Sequence, residues 1–224
     1  VREGGKARGS GSLGAGMEPD QVRALFTRAD GQYLCARWGR PIVPVVFGVE
    51  EATLSVVKGA LEAVVALAGH RMAETDPELG ANLMIFFFRD WAELPEVPNL
   101  DRLVPGLAEL CARLEAAEAN QYRIFRFDPE GAIRAAFVFV RMDAHLAAVP
   151  VETLALSQAV QVIVLWSDRA FADRSPLVVA EGGAVMLRPE IAGVIRAVYD
   201  PVLPGVAQDA AHALRLAARM GRLV

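Results

Sequence analysis

The sequence predicts an α+β domain in which a mixed sheet packs against helices, and three observations carry that prediction. Leu54, Val57, Leu61, Val64 and Leu67 recur at three- and four-residue intervals, the helical period. Leu83–Phe88 is apolar at every position, as a strand buried on both faces must be. Two β-prone runs, Tyr122–Phe127 and Ala132–Val140, flank Asp128-Pro129-Glu130-Gly131, whose residue types favour a turn and so predict a hairpin. Helices and strands mingle early in the chain and helices dominate later, which fits α+β better than regular βαβ alternation and predicts a mostly helical C-terminal half.

Taken in order, Glu18–Phe26 reads as a short helix with Pro19 in its first turn, where a missing N–H costs nothing. Ile42–Phe47 is rich in β-branched residues, but Pro44 cannot donate to a ladder, so this strand belongs at a sheet edge or a bend. Glu50 and Glu51 suit the N-terminal dipole of the helix over Glu50–Ala68, and Gly69 suits its stop. Leu103, Leu107, Leu110 and Leu114 mark a second amphipathic helix with Pro105 near its start. In Tyr122–Phe127, Tyr122, Ile124 and Phe127 oppose Arg123 and Arg126. Val151–Trp166 reads as helix, Ser167 to about Gly183 as a polar loop, and Pro189–Tyr199 and Val206–Met220 as two closing helices parted by Asp200-Pro201 and Pro204-Gly205.

At 224 residues and 54% hydrophobic, the chain can bury a sizeable core; the expected organisation is one domain over 18–224 behind a flexible leader over 1–17. A net charge of -4, with acids and bases interspersed, argues against a nucleic-acid partner, which calls for a basic face. No apolar stretch reaches the ~20 residues of a transmembrane helix. The first sixteen residues lack the apolar centre of a signal peptide. The expected compartment is the cytoplasm if Met17 is the native start and the periplasm if an export signal has been removed. Cys35 and Cys111 form neither a disulfide framework nor a zinc cluster; two buried thiols are expected, with a single bridge as the alternative in an exported protein.

Several motifs carry little. Gly9, Gly11 and Gly14 match G-x-G-x-x-G, but no strand precedes them, so a linker is expected. His70, His145 and His212 lie far apart, none paired at helical spacing, so they read as structural or solvated and no metal or cofactor is expected. No serine or cysteine sits in a nucleophile elbow.

The informative segment is Leu154–Asp168. Ser157, Gln158 and Gln161 are its polar side chains before Ser167, and spacings of three and four residues group them on one helical face. Burying an amide without a partner costs on the order of 1–3 kcal/mol. These groups must therefore line a polar cleft, meet backbone groups or face water.

Ser157-Gln158-Ala159-Val160-Gln161, then Ser167-Asp168, then Tyr199-Asp200-Pro201-Val202-Leu203-Pro204-Gly205 form a series, and Arg37-Trp38-Gly39-Arg40-Pro41-Ile42 precedes the first strand. In this series, over about residues 33–207, the chain resembles an alphaproteobacterial domain family of unknown function within the zincin-like metallopeptidase superfamily. That family carries Glu-Glu-x-x-Gln, a degenerate His-Glu-x-x-His, followed by Asn-Asp and by Tyr-Asp-Pro-x-Leu. The resemblance implies a zincin-like fold with Ser157 and Gln161 at the two zinc-ligand positions and Gln158 at that of the general base. A hydroxyl and neutral amides are poor zinc ligands, and glutamine accepts no proton at neutral pH. What the resemblance implies is thus a non-catalytic zincin-like domain, binding a peptide or protein partner in a vestigial cleft formed by Ser157, Gln158, Gln161 and Asp168. Pro44 marks the candidate edge strand for that peptide. Two alternatives stand beside it: a hydrolase using His145 with Asp168, Asp173 or Glu181, and a structural module that self-associates through the small residues Ala207, Ala210, Ala211, Ala213, Ala217 and Ala218.

Overall fold

The computed structural model describes residues 16–221. The expected leader and its glycine motif fall, up to residue 15, outside the described residues, whereas Met17 already packs against the main core.

Leu83–Phe88 (β3) is apolar throughout because helices cover both faces of the sheet in which it lies. That sheet has four strands in the order β2 (Pro44–Phe47), β3, β5 (Ile133–Arg141), β4 (Gln121–Phe127). The first three run parallel, and β4 is antiparallel to β5. Leu83, Ile85, Phe87, Val138 and Val140 face the larger core, against α2 (Glu51–Leu67) and α6 (Val151–Ile163). Phe86, Phe88, Phe137 and Phe139 face a smaller core under a 3-10 helix at Trp91–Glu96 and α4 (Leu107–Ala116). Cys35 and Cys111 are free thiols, one in each core on opposite faces of the sheet.

The long-period elements lie where the sequence puts them. α1 covers Pro19–Ala24, and α2 stops in a Schellman motif: the Gly69 N–H donates to the Ala66 carbonyl and the His70 N–H to that of Val65, with Gly69 at φ +65°. β2 is an edge strand, and Pro44 opens it. Gly48 follows at φ +80°, where an added Cβ would lie 1.9 Å from the Phe87 carbonyl oxygen, so glycine is required for β2 to turn into α2 beside β3. Pro105 divides the expected second helix into α3 (Leu100–Leu103) and α4.

The α+β class and the mixed sheet are as expected, with the β2–α2–β3 unit and the β3–β5 pair supplying the parallel part. Three expectations are corrected. The helix expected to reach Trp166 ends at Ile163, after a short α5 (Ala144–Ala147) and α6 proper; Val164 is extended and bridges Arg37. The expected polar loop contains a hairpin, β6 (Leu177–Val179) with β7 (Val185–Leu187). The last helix begins only at His212: after α7 (Pro189–Val198), Val206–Ala207 form a strand, β8, that pairs with β1 (Cys35–Ala36), and α8 spans His212–Met220. The C-terminal half is therefore less uniformly helical than expected. No helix among the described residues is long and apolar enough to cross a membrane.

A buried polar cluster locks the loop beneath the sheet. The Asn82 side chain, fully buried, accepts from the Val43 amide and donates to the Pro41 carbonyl and the Asp76 carboxylate. Asp76 also accepts from the Glu78 and Leu79 amides and pairs with Arg40 at 3.2 Å. Burial alone raises its carboxyl, but these donors outweigh it and hold the pKa at about 2.

Candidate functional site

The C-terminus of α6 leaves backbone carbonyls that the helix itself cannot satisfy. Side chains distant in sequence take them. Trp38 Nε1 donates to the Val162 carbonyl (2.9 Å), Trp166 Nε1 to that of Val160 (2.8 Å) and the Tyr199 hydroxyl to that of Ile163 (2.8 Å). Arg37 lies over the Tyr199 ring and donates to the carbonyls of Val198, Asp200 and Leu203. The Arg37–Ile42 and Tyr199–Gly205 runs thus meet, and together they fix where the chain departs from α6. Leu165 then donates to the Ala36 carbonyl and Ser167 to that of Leu25, while Trp166 stacks on Phe26 with ring centroids 5.3 Å apart.

This departing segment forms one wall of a cleft of about 840 Å³. Gln161 and Phe171 line it with Leu165–Asp168, together with β4 from Gln121 to Phe125 and with Arg28–Asp30. Asp168 stands exposed at the rim, its Oδ1 accepting from the Ala29 amide (3.1 Å). Gln161 lines the cleft and donates from Nε2 to the Ser157 hydroxyl (2.9 Å). Ser157 itself is not on the wall. Gln158 is buried and turned toward the sheet, its Oε1 accepting from Arg123 and its Nε2 donating to Gln121 Oε1 (2.8 Å). Of the four expected site residues, the structure brings Gln161 and Asp168 to the cleft, puts Ser157 behind Gln161, and sends Gln158 beneath it.

Arg123 and Gln121 are the residues that sequence reasoning missed. Alternation had set Arg123 against the apolar face of its strand, the side usually left to water. In the fold Tyr122 and Ile124 meet the smaller core, whereas Gln121, Arg123 and Phe125 turn toward α6. The available signal was Gln158, an amide with Leu154, Ala155 and Val162 one helical turn away, which needed a partner. Arg123 Nη2 donates to the Gln121 and Gln158 amide oxygens, its Nε is buried without a partner, and among the described residues no carboxylate pairs with it. Burial pulls the guanidinium down to about 10, yet it stays charged at neutral pH.

β4 is the other edge of the sheet. Arg141 donates to the Asn120 carbonyl (2.8 Å), which sets the phase of the β4–β5 ladder. Tyr122, Ile124 and Arg126 are then the positions bonded to β5, and the backbone N–H and C=O groups of Gln121, Arg123 and Phe125 face outward. The cleft therefore runs along this edge and not along that of Pro44.

The histidines stand apart from it. His70 Nε2 lies 2.9 Å from the Arg40 carbonyl, and His212 Nδ1 lies 3.0 Å from the Tyr33 hydroxyl. His145 is exposed on α5 and not on the cleft wall, so the structure does not bring it to Asp168. Among the described residues no three His, Cys, Asp or Glu side chains form a metal-binding group. On α8, Ala213 is buried and Ala217 packs inward with Leu216 and Met220, so much of the small-residue stripe faces its own core. Compared with known protein families, curated proteins and solved structures, the chain matches none.

Proposed function

We propose that this chain is a non-catalytic, zincin-like binding domain that receives an extended peptide in the cleft along β4. The observation that carries the reading is the outward edge of β4: three residues whose backbone groups have no partner among the described residues line a cleft of about 840 Å³. Exposed edges invite a further strand, and proteins whose edges serve no purpose usually blunt them with proline, a bulge or a cover. Here the bulge comes only at Arg126/Phe127, past the three outward positions. A peptide laid along the edge gains main-chain hydrogen bonds, and the aromatic wall of Trp166 and Phe171 receives its side chains.

The chemistry of the helix supports binding without turnover. The position that the resemblance gives to the general base, Gln158, holds a neutral amide engaged with Gln121 and Arg123. Gln161 and Ser157, at the ligand positions, engage each other.

Peptides selected on the full chain from a display library of random short sequences are expected to bind and to stay intact. N-methylation of alternate residues should abolish binding in one phase and spare it in the other, because only every second peptide amide faces a neighbouring strand. Binding indifferent to N-methylation in both phases, or cleavage of bound peptides with stoichiometric zinc, contradicts the reading.

A further inference from the structure

A half-buried guanidinium without a counter-charge has given up part of its hydration with no opposite charge in return, and it favours a ligand that supplies one. Arg123 is such a group. Two neutral amides hold it: Gln158 Nε2 donates to Gln121 Oε1, and both amide oxygens accept from Arg123 Nη2. This arrangement orients the cation without neutralising it. Nη1 makes no hydrogen bond among the described residues and is not enclosed as Nε is, and Arg123 lines the cleft. The cleft's two carboxylates, Asp30 and Asp168, are exposed, and each has an oxygen engaged by a backbone amide. Neither forms an ion pair with Arg123.

We propose that Arg123 is the specificity determinant of the cleft and selects a peptide bearing an aspartate or glutamate at the position paired with it. This rests on the reading that a peptide extends β4. In such a ladder, directly paired residues project their side chains to the same face. A residue opposite Arg123 therefore directs its side chain to the face that holds the guanidinium. Its carboxylate meets Nη1 and supplies the missing charge. Two residues along the peptide, the side chain opposite Phe125 falls on the same face, beside the aromatic wall, and is apolar. The recognised pattern is an acidic residue, one residue of any kind, then an apolar residue, read toward Phe125.

The test uses the full chain and peptides from the same random display library. Selected peptides should share the acidic residue. Changing it to its amide should weaken binding about thirtyfold, as losing a desolvated, hydrogen-bonded charge pair does. Against Arg123→Met the acidic and amide peptides should bind equally. Arg123→Met also leaves the Gln158 amide oxygen without its donor, so some fall in Tm is expected; a purely structural arginine would weaken acidic and amide peptides alike and leave the difference between them in place. Arg123→Lys, which keeps the charge but not the fork, should recover only part of the preference. If peptides bind with the alternate-amide pattern but show no acidic preference, this proposal is overturned while the β4 reading stands. If no peptide binds along β4, the underlying reading fails and this one with it.

Discussion

A Trp38→Ala variant is expected to lose about 4 kcal/mol of folding stability, because truncating a fully buried aromatic leaves a cavity as well as losing its transfer free energy. Trp38 is 2% exposed, and its indole N–H donates to the Val162 carbonyl at the end of α6. The loss has two parts that can be separated. Trp38→Phe keeps much of the apolar volume but leaves that carbonyl without its donor, and should cost about 2 kcal/mol. Urea unfolding of the two variants measures both, read as a fall in midpoint at constant slope. The consequence extends beyond stability. With the helix end released, amides of Leu165–Asp168 should exchange faster, since the wall of the cleft hangs from that point. Equal stability of Trp38→Ala and the parent would remove the helix-end clamp from the account.

The second large effect is expected at Asp76. Asp76→Ala should cost about 3 kcal/mol at neutral pH, for it strands two backbone amides, the Asn82 amide and a partly exposed arginine at once. The same bonds make a pH prediction whose sign follows from the direction of the shift. The folded-state pKa of about 2 lies below that of the unfolded chain, so the unfolded state binds the proton first. The contribution of Asp76 is complete above the ordinary carboxylate pKa of about 4 and fades as the pH falls through about 2. The parent should therefore lose more stability over that interval than Asp76→Ala. Parallel losses in the two proteins would show that the carboxylate is not held as described.

Much of the fold was legible because it repeats locally. The apolar spacing of α2, the unbroken apolar run of β3 and the Asp128–Gly131 turn are each contained within one segment. The misread elements are those whose conformation depends on distant partners. Val164–Trp166 continue the apolar pattern of α6, but Arg37 and Ala36 draw Val164 and Leu165 out of the helix, and Leu25 holds Ser167 beyond them. β1 and β8 are two residues each, too short for any period, and exist only as each other's partners. The β6–β7 hairpin hid in a segment whose Asp, Arg, Ser and Gly content reads as loop. The site divides in the same way. Gln161 and Asp168 were legible as polar residues on and after an apolar helix, and both reach the cleft. Arg123 was not, because strand alternation says which residues share a face and is silent on whether α6 covers it.

Pro44 and β4 show the limit in another form. The proline correctly marked an edge, but a sheet has two, and the concavity lies at the other one. Only the strand order, set by pairing between segments far apart, distinguishes them.

The central claim is that the outward backbone of β4 is the docking surface, and amide hydrogen exchange read residue by residue addresses it most directly. On adding a selected peptide, the amides of Gln121, Arg123 and Phe125 should slow by at least about tenfold, while those of Tyr122 and Ile124, already bonded to β5, change little. Slowing confined to another surface, with those three amides exchanging as in the free chain, would contradict it.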